Sequence, residues 1–562
     1  MSIIDWSILV ASLLFIVIYG VWKSRAQHTT ESFLRGTHEV PWYTIGFSIM
    51  ATQASAITFL SAPGQAFEDG MRFVQFYFGL PLAMVVLCIT FVPMFHRMGC
   101  YTAYEFLEKR FDVKTRSLGA VLFLIQRGLS TSLTIYAPSL VLSAMLGWST
   151  IVTNCLIGGM VIIYTVSGGT KAVSYTQKSQ MIIILTSMLV AFVMVVNMLP
   201  SSISFGDAVF VAGKMGKMNA IDLNFDLTSK YNIWIGLIGG FFLALSYFGT
   251  DHSQVSRYLT GSSIAESRMG LIMNGLVKIP MQFFILFIGV MVYVFYLFTQ
   301  PPVTFNPLED SKIRQSSYSN EYTLAEQNFK NALETRKEKV HTLITTKETQ
   351  NQTQIDVAVL AMQQAEKQVK TAKSQATAIM LKNDPKANDK DTNYMFLSFV
   401  TTYLPVGMIG LLLAVIFAAS MSSTASALNS LASVSVIDVY KRSFNKTGSD
   451  QHYLLISRLM TAFWGIFAVF FAEMAGRIGS LIEAVNVLGS LFYGAILGLF
   501  LVAFYIKNIG GTAVFIAAIL TETVIFYLYK FTTVPYLWYN VIGCVLVISI
   551  GWMIEKFIKK PR

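Results

Sequence analysis

Charge is scarce in this chain. Asp, Glu, Lys and Arg make up 13% of its 562 residues against 54% hydrophobic ones, and the mean hydropathy is +0.56. A soluble domain of this length needs a charged surface, so the balance excludes one and specifies an all-α integral membrane protein. Cysteine is nearly absent too: Cys88, Cys100, Cys155 and Cys544 lie in or beside apolar runs without metal-ligand spacing. That excludes a disulfide framework and a zinc site. Nowhere do a nucleophile, a base and an orienting group fall together at usable spacing, which argues against an enzyme. The formal net charge of +11 comes from Lys and Arg scattered over short loops, so it reports topology and excludes a nucleic-acid face.

Apolar length is what the chain has in abundance. Counted at ~20 residues each, about thirteen transmembrane helices are expected, beginning near Trp6, Trp42, Phe73, Leu118, Ile151, Met181, Ile233, Leu271, Phe396, Leu454, Leu481, Gly511 and Tyr536. The first is not read as a cleavable signal, because Asp5 precedes it and neither a basic lead-in nor a small-residue cleavage site flanks it. Short cytoplasmic loops retain Lys and Arg. Lys23, Arg25 and Arg35 follow the first span, Arg97, Lys109, Arg110, Lys114 and Arg116 the third, Lys171 and Lys178 the fifth, and Arg257 and Arg268 the seventh. Lys441, Arg442, Lys446, Lys507, Lys556, Lys559, Lys560 and Arg562 collect on the same side. The expected topology is a multi-pass plasma-membrane protein with its N-terminus outside and its C-terminus in the cytoplasm.

Residues 300–394 are hydrophilic and separate the membrane parts 1–299 (spans one to eight) and 395–562 (spans nine to thirteen). Helical spacing joins Tyr322, Ala325, Phe329, Ala332, Leu333, Val340 and Leu343, and again Ile355, Val359, Met362, Val369, Ala372, Ala376 and Ile379. An external helical hairpin insertion follows, turning at Asn351-Gln352-Thr353 and ended by Asp384-Pro385. Its charged exterior is either a solvated face or a docking surface for a protein partner.

Two polar stretches interrupt the apolar spans. Residues 418–430 read AASMSSTASALNS and follow directly on the apolar run 408–417. Helix geometry sets Ser422 and Ser423 beside the carbonyl of Ala419, a group of oxygens suited to a small hard cation. The alternative is close helix packing through small residues whose hydroxyls bond across or back. In the second span, residues 47–64 read FSIMATQASAITFLSAPG, with Thr52, Gln53, Ser55 and Thr58 at mid-depth and Pro63-Gly64 disfavouring regular helix beyond them. An interrupted membrane helix frees carbonyls that must line a cavity or bind a ligand, as in transporters that hold sodium or protons near the midplane.

These stretches, with YEFLEKRF at 104–111, GGTKAV at 168–173, YFGTDHSQVSRY at 247–258 and DVY at 438–440, resemble the sodium/solute symporters, the family of sodium-coupled sugar, proline, sialic acid, iodide and vitamin carriers. The resemblance implies a LeuT-like inverted five-plus-five helix repeat, with spans two to six in one repeat and seven to eleven in the other. It places a sodium ion, co-transported rather than resident, on the carbonyls of Ala51, Ala54 and Ala419 and the hydroxyls of Ser422 and Ser423, leaving Ser426 and Ser430 to packing. Where relatives carry Thr-Asp after the Gly168-Gly169 turn, this chain reads Thr176-Gln177. A neutral amide at this second-ion position favours one coupled sodium over two.

The resemblance also aligns Thr58, Tyr77, Ala244 and Lys278 with the substrate pocket and Tyr247 with an inner aromatic gate; Ala244 and Tyr77 replace sugar-contacting groups, which disfavours a hexose. Lys278 follows Asn274 in an apolar span, and burying its ammonium costs at least ~2.5 kcal/mol. It either neutralises an anionic solute or pairs with Glu483 or Glu522. Gln75 and Asn486 are further candidate polar contacts, each with the alternative of satisfying a nearby backbone group. His252 stands where relatives often have glutamine, at a helix end where a satisfied or solvated histidine is expected. The expected function is import of a small polar or anionic organic solute by alternating access, driven by the sodium gradient and membrane potential. A sodium-independent or proton-coupled carrier and a membrane sensor or scaffold using the hairpin are the alternatives.

Overall fold

In the computed structural model, residues 2–24, 30, 41–99, 101–385, 387–477 and 479–558 are described. Arg25, Arg35, Cys100, Lys559, Lys560 and Arg562 lie outside them, as do the side chains of Lys23, Lys171, Thr176 and Lys178. The described chain is helical, without an extended strand. Among the described residues, eleven segments are long and apolar enough to cross a membrane. Two expected spans fall short of that measure. The first forms the 22-residue helix Ile3–Ser24, of which Ile3–Phe15 is the apolar stretch among the described side chains, and the second opens with the 12-residue helix Trp42–Gln53.

Three boundaries differ from the sequence reading. The expected turn at Gly168-Gly169 is helical backbone within Thr150–Asn197, which contains the two crossings Thr150–Ser167 and Gln180–Asn197. The ninth span starts at Met408 rather than near Phe396, because Met395–Tyr403 is a separate short helix closed off before Pro405. The helix Ala56–Asp69 continues through Pro63-Gly64. Neighbouring backbone packs tightly around these two residues. A Cβ on Gly64 would lie 1.8 Å from Thr392 O, and one on Gly289 would lie 2.1 Å from Pro63 O.

The ninth span, Met408–Val434, is buried along nearly its whole length and packs against both halves of the interrupted second span. Its N-terminus is capped in trans by the first helix, Ile3–Ser24. Asp5 Oδ1 accepts from Gly407 N at 2.7 Å and Gly410 N at 3.1 Å, and Gly407 takes the left-handed φ of +91° that a side chain would strain.

The hydrophilic insertion is the expected hairpin, with arms Ser319–Glu348 and Gln352–Asn383. Of the residues at helical spacing, Tyr322, Ala325, Phe329, Leu333, Val369, Ala372, Ala376 and Ile379 are buried in one cluster of the hairpin, and Val340, Leu343, Ile355 and Met362 are buried in continuity with the membrane core. The turn falls slightly earlier than expected, with Gln350 at φ +53° and Asn351 capping the second arm by accepting from Gln354 N. The hairpin is fastened to the membrane part by polar contacts. Arg336 donates to Tyr296 O at 2.7 Å and pairs with Glu366 at 3.1 Å, and Lys347 pairs with Asp207 at 2.5 Å. At its base, Asn393 Nδ2 donates to Gly479 O at 2.7 Å.

Two measurements check this packing. Gly64→Ala is expected to lower stability by about 1–3 kcal/mol through overpacking, read as a lower melting temperature, whereas Gly159→Ala, which meets nothing within 4 Å, leaves it nearly unchanged. The Lys347 ammonium and the Ser204 hydroxyl hold the Asp207 carboxyl below its ordinary value. A carboxyl lower in the folded than the unfolded state stabilises above the unfolded pKa, and that support is lost as pH falls through the folded value. Amide-exchange protection near the hairpin tip should therefore persist to about pH 4 and weaken below it, and Asp207→Asn should remove this step.

Candidate functional site

The interruption of the second span leaves Ala54 and Ser55 non-helical between Trp42–Gln53 and Ala56–Asp69. In an unbroken helix Ser55 N would bond Ala51 O and Thr58 N would bond Ala54 O. Here Ser55 N donates to Gln53 O and Thr58 N to Ser55 O, each at 3.0 Å. The carbonyls of Ala51 and Ala54 are thus released from their helical donors, at residues no more than 1% exposed. These are two of the carbonyls singled out from the sequence.

On the facing helix the hydroxyls divide sharply. Ser420 Oγ donates to Thr134 O at 2.6 Å, Thr424 Oγ1 meets Thr134 Oγ1 at 2.8 Å, and Ser430 Oγ donates to Ser426 O at 2.9 Å. Ser423 Oγ donates to Ala419 O at 3.0 Å, which brings two of the expected ligand oxygens together. Ser422 Oγ is buried and has no hydrogen-bond partner among the described residues. Ser426 Oγ lies 3.3 Å from Thr52 Oγ1, tying the ninth span to the first half of the broken one.

Gln177 is fully buried against that same half-helix. Its Oε1 accepts from Ser48 Oγ at 2.5 Å and its Nε2 donates to Thr52 Oγ1 at 3.2 Å. Both ends of the amide are engaged, so a neutral side chain here acts as a strut.

A cavity of about 120 Å³ adjoins the break, lined by Ser55 and Thr58 from the second span, Tyr77, Ala244, Tyr247 and Lys278, and by Asn486 with Ile482 and Val485 from the eleventh span. Four of the five candidate solute contacts therefore converge. Gln75 does not: its Oε1 accepts from Asp222 N at 2.9 Å and its Nε2 approaches Arg72 O and Tyr231 O at 3.3 and 3.4 Å. An amide in an apolar span has here satisfied loop backbone, which its sequence position did not reveal.

Lys278 is 1% exposed, and its ammonium lies over the Tyr77 ring at 5.7 Å. No described carboxylate comes within 4 Å of it. Glu483 pairs instead with Lys230 at 2.5 Å, and both oxygens of Glu522 are buried without a partner. The expectation of a Lys278–Glu483 or Lys278–Glu522 pair is overturned.

Below Tyr247 lies a network that sequence reasoning missed. Arg127 lines the cavity and pairs with Asp251 at 3.5 Å; Asp251 also accepts from Tyr493 OH at 2.7 Å, and Gln254 Nε2 donates to Tyr247 OH at 2.6 Å. The signal was available, since Arg127 is a charge in the middle of the long apolar helix Val113–Leu146. Gln53 and Gln126 also line the cavity, each with an amide oxygen left without a partner. Of the two expectations for His252, a satisfied or a solvated ring, burial at 2% exposure excludes the solvated one, and its Nδ1 has no hydrogen-bond partner among the described residues.

Comparison with known proteins agrees with this architecture. The model of the sodium:solute symporter family matches residues 33–329 and 374–520, skipping the middle of the hairpin. The sodium/sialic acid symporter NanT of Aliivibrio fischeri is 23% identical over 99% of this chain and 94% of its own length. The sodium/sialic acid symporter SiaT of Proteus mirabilis is 24% identical over 98% and 94%. The human sodium/iodide cotransporter is 27% identical over 53% of this chain and 46% of its own. Among solved structures, a Na+-coupled sialic acid symporter in a substrate-bound outward-open state superposes with a TM-score of 0.76 at 21% identity, covering 99% of this chain and 98% of that one. With a transporter fold and a family model matched over most of its length, this chain belongs to the sodium:solute symporter family and is a multi-pass membrane transporter, not an enzyme.

Proposed function

We propose that this symporter imports a small organic anion with one sodium ion, by alternating access across the plasma membrane. The observation that carries the reading of the cargo is Lys278, a buried ammonium facing the cavity with an aromatic ring and no carboxylate beside it. A membrane-depth charge of this kind needs water, a partner or a ligand, and a solute carboxylate at the cavity wall supplies one. Gln53, Gln126 and Asn486 add polar contacts for hydroxyl or amide groups on the same solute. Relatives named for sialic acid and iodide carry anions as well.

Sodium is assigned to the carbonyls of Ala51, Ala54 and Ala419 and the hydroxyls of Ser422 and Ser423. In support, the two carbonyls of the broken helix are released and Ser422 Oγ alone among its neighbours is unengaged. Oxygen ligands of this kind suit a hard monovalent cation better than nitrogen or sulfur would. Bound there, sodium bridges the broken second span and the ninth span, which favours one arrangement of the repeats and raises solute affinity, and the coupling is reciprocal. Tyr247, with Arg127, Asp251, Tyr493 and Gln254, closes the inner end of the cavity. Gln177 braces Ser48 and Thr52, a role that supports a single coupled ion.

The topology that goes with this reading has thirteen transmembrane helices in a five-plus-five inverted repeat, the hairpin and N-terminus outside and the C-terminus in the cytoplasm. It also treats residues 1–299 and 395–562 as two parts of one membrane unit with 300–394 inserted between them.

A thermal-shift screen of purified protein against carboxylates, sugars, amino acids, vitamins and halides, with and without sodium, tests the cargo. A hit that stabilises equally without sodium would refute the coupling. Ser422→Ala is expected to raise the sodium concentration for half-maximal uptake about tenfold, a loss near 1.4 kcal/mol, while Ser426→Ala stays close to wild type; an unchanged sodium requirement in Ser422→Ala sinks the site. Lys278→Gln should weaken binding of the identified anion by roughly 2–4 kcal/mol, the penalty for removing one partner of a desolvated charge pair, and leave a neutral isostere unaffected, both measured by calorimetry in saturating sodium.

A further inference from the structure

On the face opposite the hairpin a second cavity, of about 500 Å³, opens between the Glu105–Arg110 helix, the start of Val113–Leu146 and the loop after the ninth span. Its basic walls are Arg116, Lys441, Arg442 and Lys446, and its acidic ones are Glu105 and Asp450.

The acidic groups are already engaged. Glu105 faces Arg116 at 3.8 Å, and Asp450 accepts from Thr30 N at 3.1 Å. Behind the wall, Arg116 also pairs with Asp438 and Glu108, each at 2.7 Å, and Arg442 pairs with Glu108. Among the described residues no carboxylate pairs with Lys441 or Lys446, so two ammonium groups face one unpaired carboxylate, Asp450, across the cavity, and Arg442 Nε is a buried donor without a described partner.

The loop that carries these groups is built, not loose. Tyr453 OH donates to Asn445 O at 2.8 Å and accepts from Gly448 N at 3.0 Å, while Phe444 N and Asn445 N both donate to Tyr440 O. The Lys441 ammonium lies over the Tyr453 ring at 4.9 Å. One buried tyrosine thus orients the loop and one of its two lysines. Next to them Phe444 is 77% exposed, an apolar ring set beside cations at the end of a membrane helix, the combination by which interfacial segments bury an apolar side chain at the headgroup boundary.

We propose that this cavity binds a phosphate group, held by Lys441 and Lys446 with the Arg442 guanidinium beside them, and that the phosphate belongs to the headgroup of an anionic lipid. Paired basic side chains beside a membrane helix recognise anionic headgroups, and guanidinium and ammonium donors match phosphate oxygens. The exposed Phe444 favours the lipid over a soluble phosphate, because it anchors the site at bilayer level. The occupant lies against the Arg116–Asp438 pair, which joins the fourth span to the π-helical end of the ninth. Binding would therefore load the helix that carries the sodium-ligating serines from its far end.

The test compares melting temperatures of the full-length protein in nanodiscs of phosphatidylcholine alone and with added phosphatidylglycerol. A soluble arm adds inorganic phosphate to detergent-purified protein. Phosphatidylglycerol is expected to raise the melting temperature by about 1–3 °C. Lys441→Gln/Lys446→Gln should lose at least half of that shift, whereas Lys507→Gln, a basic residue away from the cavity, should keep it. Lys446→Gln alone, at an exposed loop position, serves if the double variant folds poorly. An equal shift from inorganic phosphate that the double variant abolishes supports the phosphate site and overturns the lipid as its source. No response to either anion, or a lipid response that the double variant keeps in full or that Lys507→Gln loses equally, overturns the proposal.

Discussion

Backbone polar groups cannot be left bare at membrane depth, and the break at Ala54-Ser55 turns that constraint into a site. Two carbonyls lose their helical donors there because Ser55 N and Thr58 N turn to nearer acceptors. In a bilayer such groups need a ligand, a cavity or a neighbouring helix. Much of the surrounding structure answers this need. The ninth span is packed along the break, its hydroxyls are distributed so that one stays open among the described residues, and a cavity begins at Ser55 and Thr58.

Holding a break open requires rigid surroundings, and the sequence supplies them through small residues and buried struts. Gly64 and Gly289 let backbones pass close to the second half-helix, while Gln177 braces the first half. Asp5 fixes the start of the ninth span from a separate helix, and the Arg116–Asp438 pair fixes its end. The two ends of the ninth span are therefore anchored to different parts of the molecule, and the hydroxyl-rich segment lies between the anchors. A relative movement of those parts acts on the helix directly.

Local patterns were legible in the amino-acid sequence, while partnerships between distant residues were not. The hairpin followed from helical spacing because its two arms bury each other, so that nearly every residue picked out at that spacing is buried. The break followed from polarity at mid-depth, but Pro63-Gly64 proved to lie inside a helix, since tertiary packing overrode a local preference. Which hydroxyl in residues 418–430 stays open depends on Thr134 and Thr52, far away in sequence. Gln75 takes the second of its two readings, that of satisfying backbone, and only the fold chose between them, because an amide states that it needs partners without saying which. Arg127 was missed although it sits in an apolar helix as conspicuously as Lys278 does, and its neutralisation by Asp251 needed the fold to be seen.

The strut at Gln177 bears on the energetics of the proposed cycle. If, as proposed, one sodium ion crosses with each solute and that solute is a monoanion, the loaded carrier transfers no net charge. Membrane voltage is worth ~2.3 kcal/mol per charge per 100 mV, and it then does no work on the cargo's crossing. Accumulation is capped by the ratio of sodium concentrations across the membrane, and a depolarised cell would concentrate the solute as steeply as a polarised one.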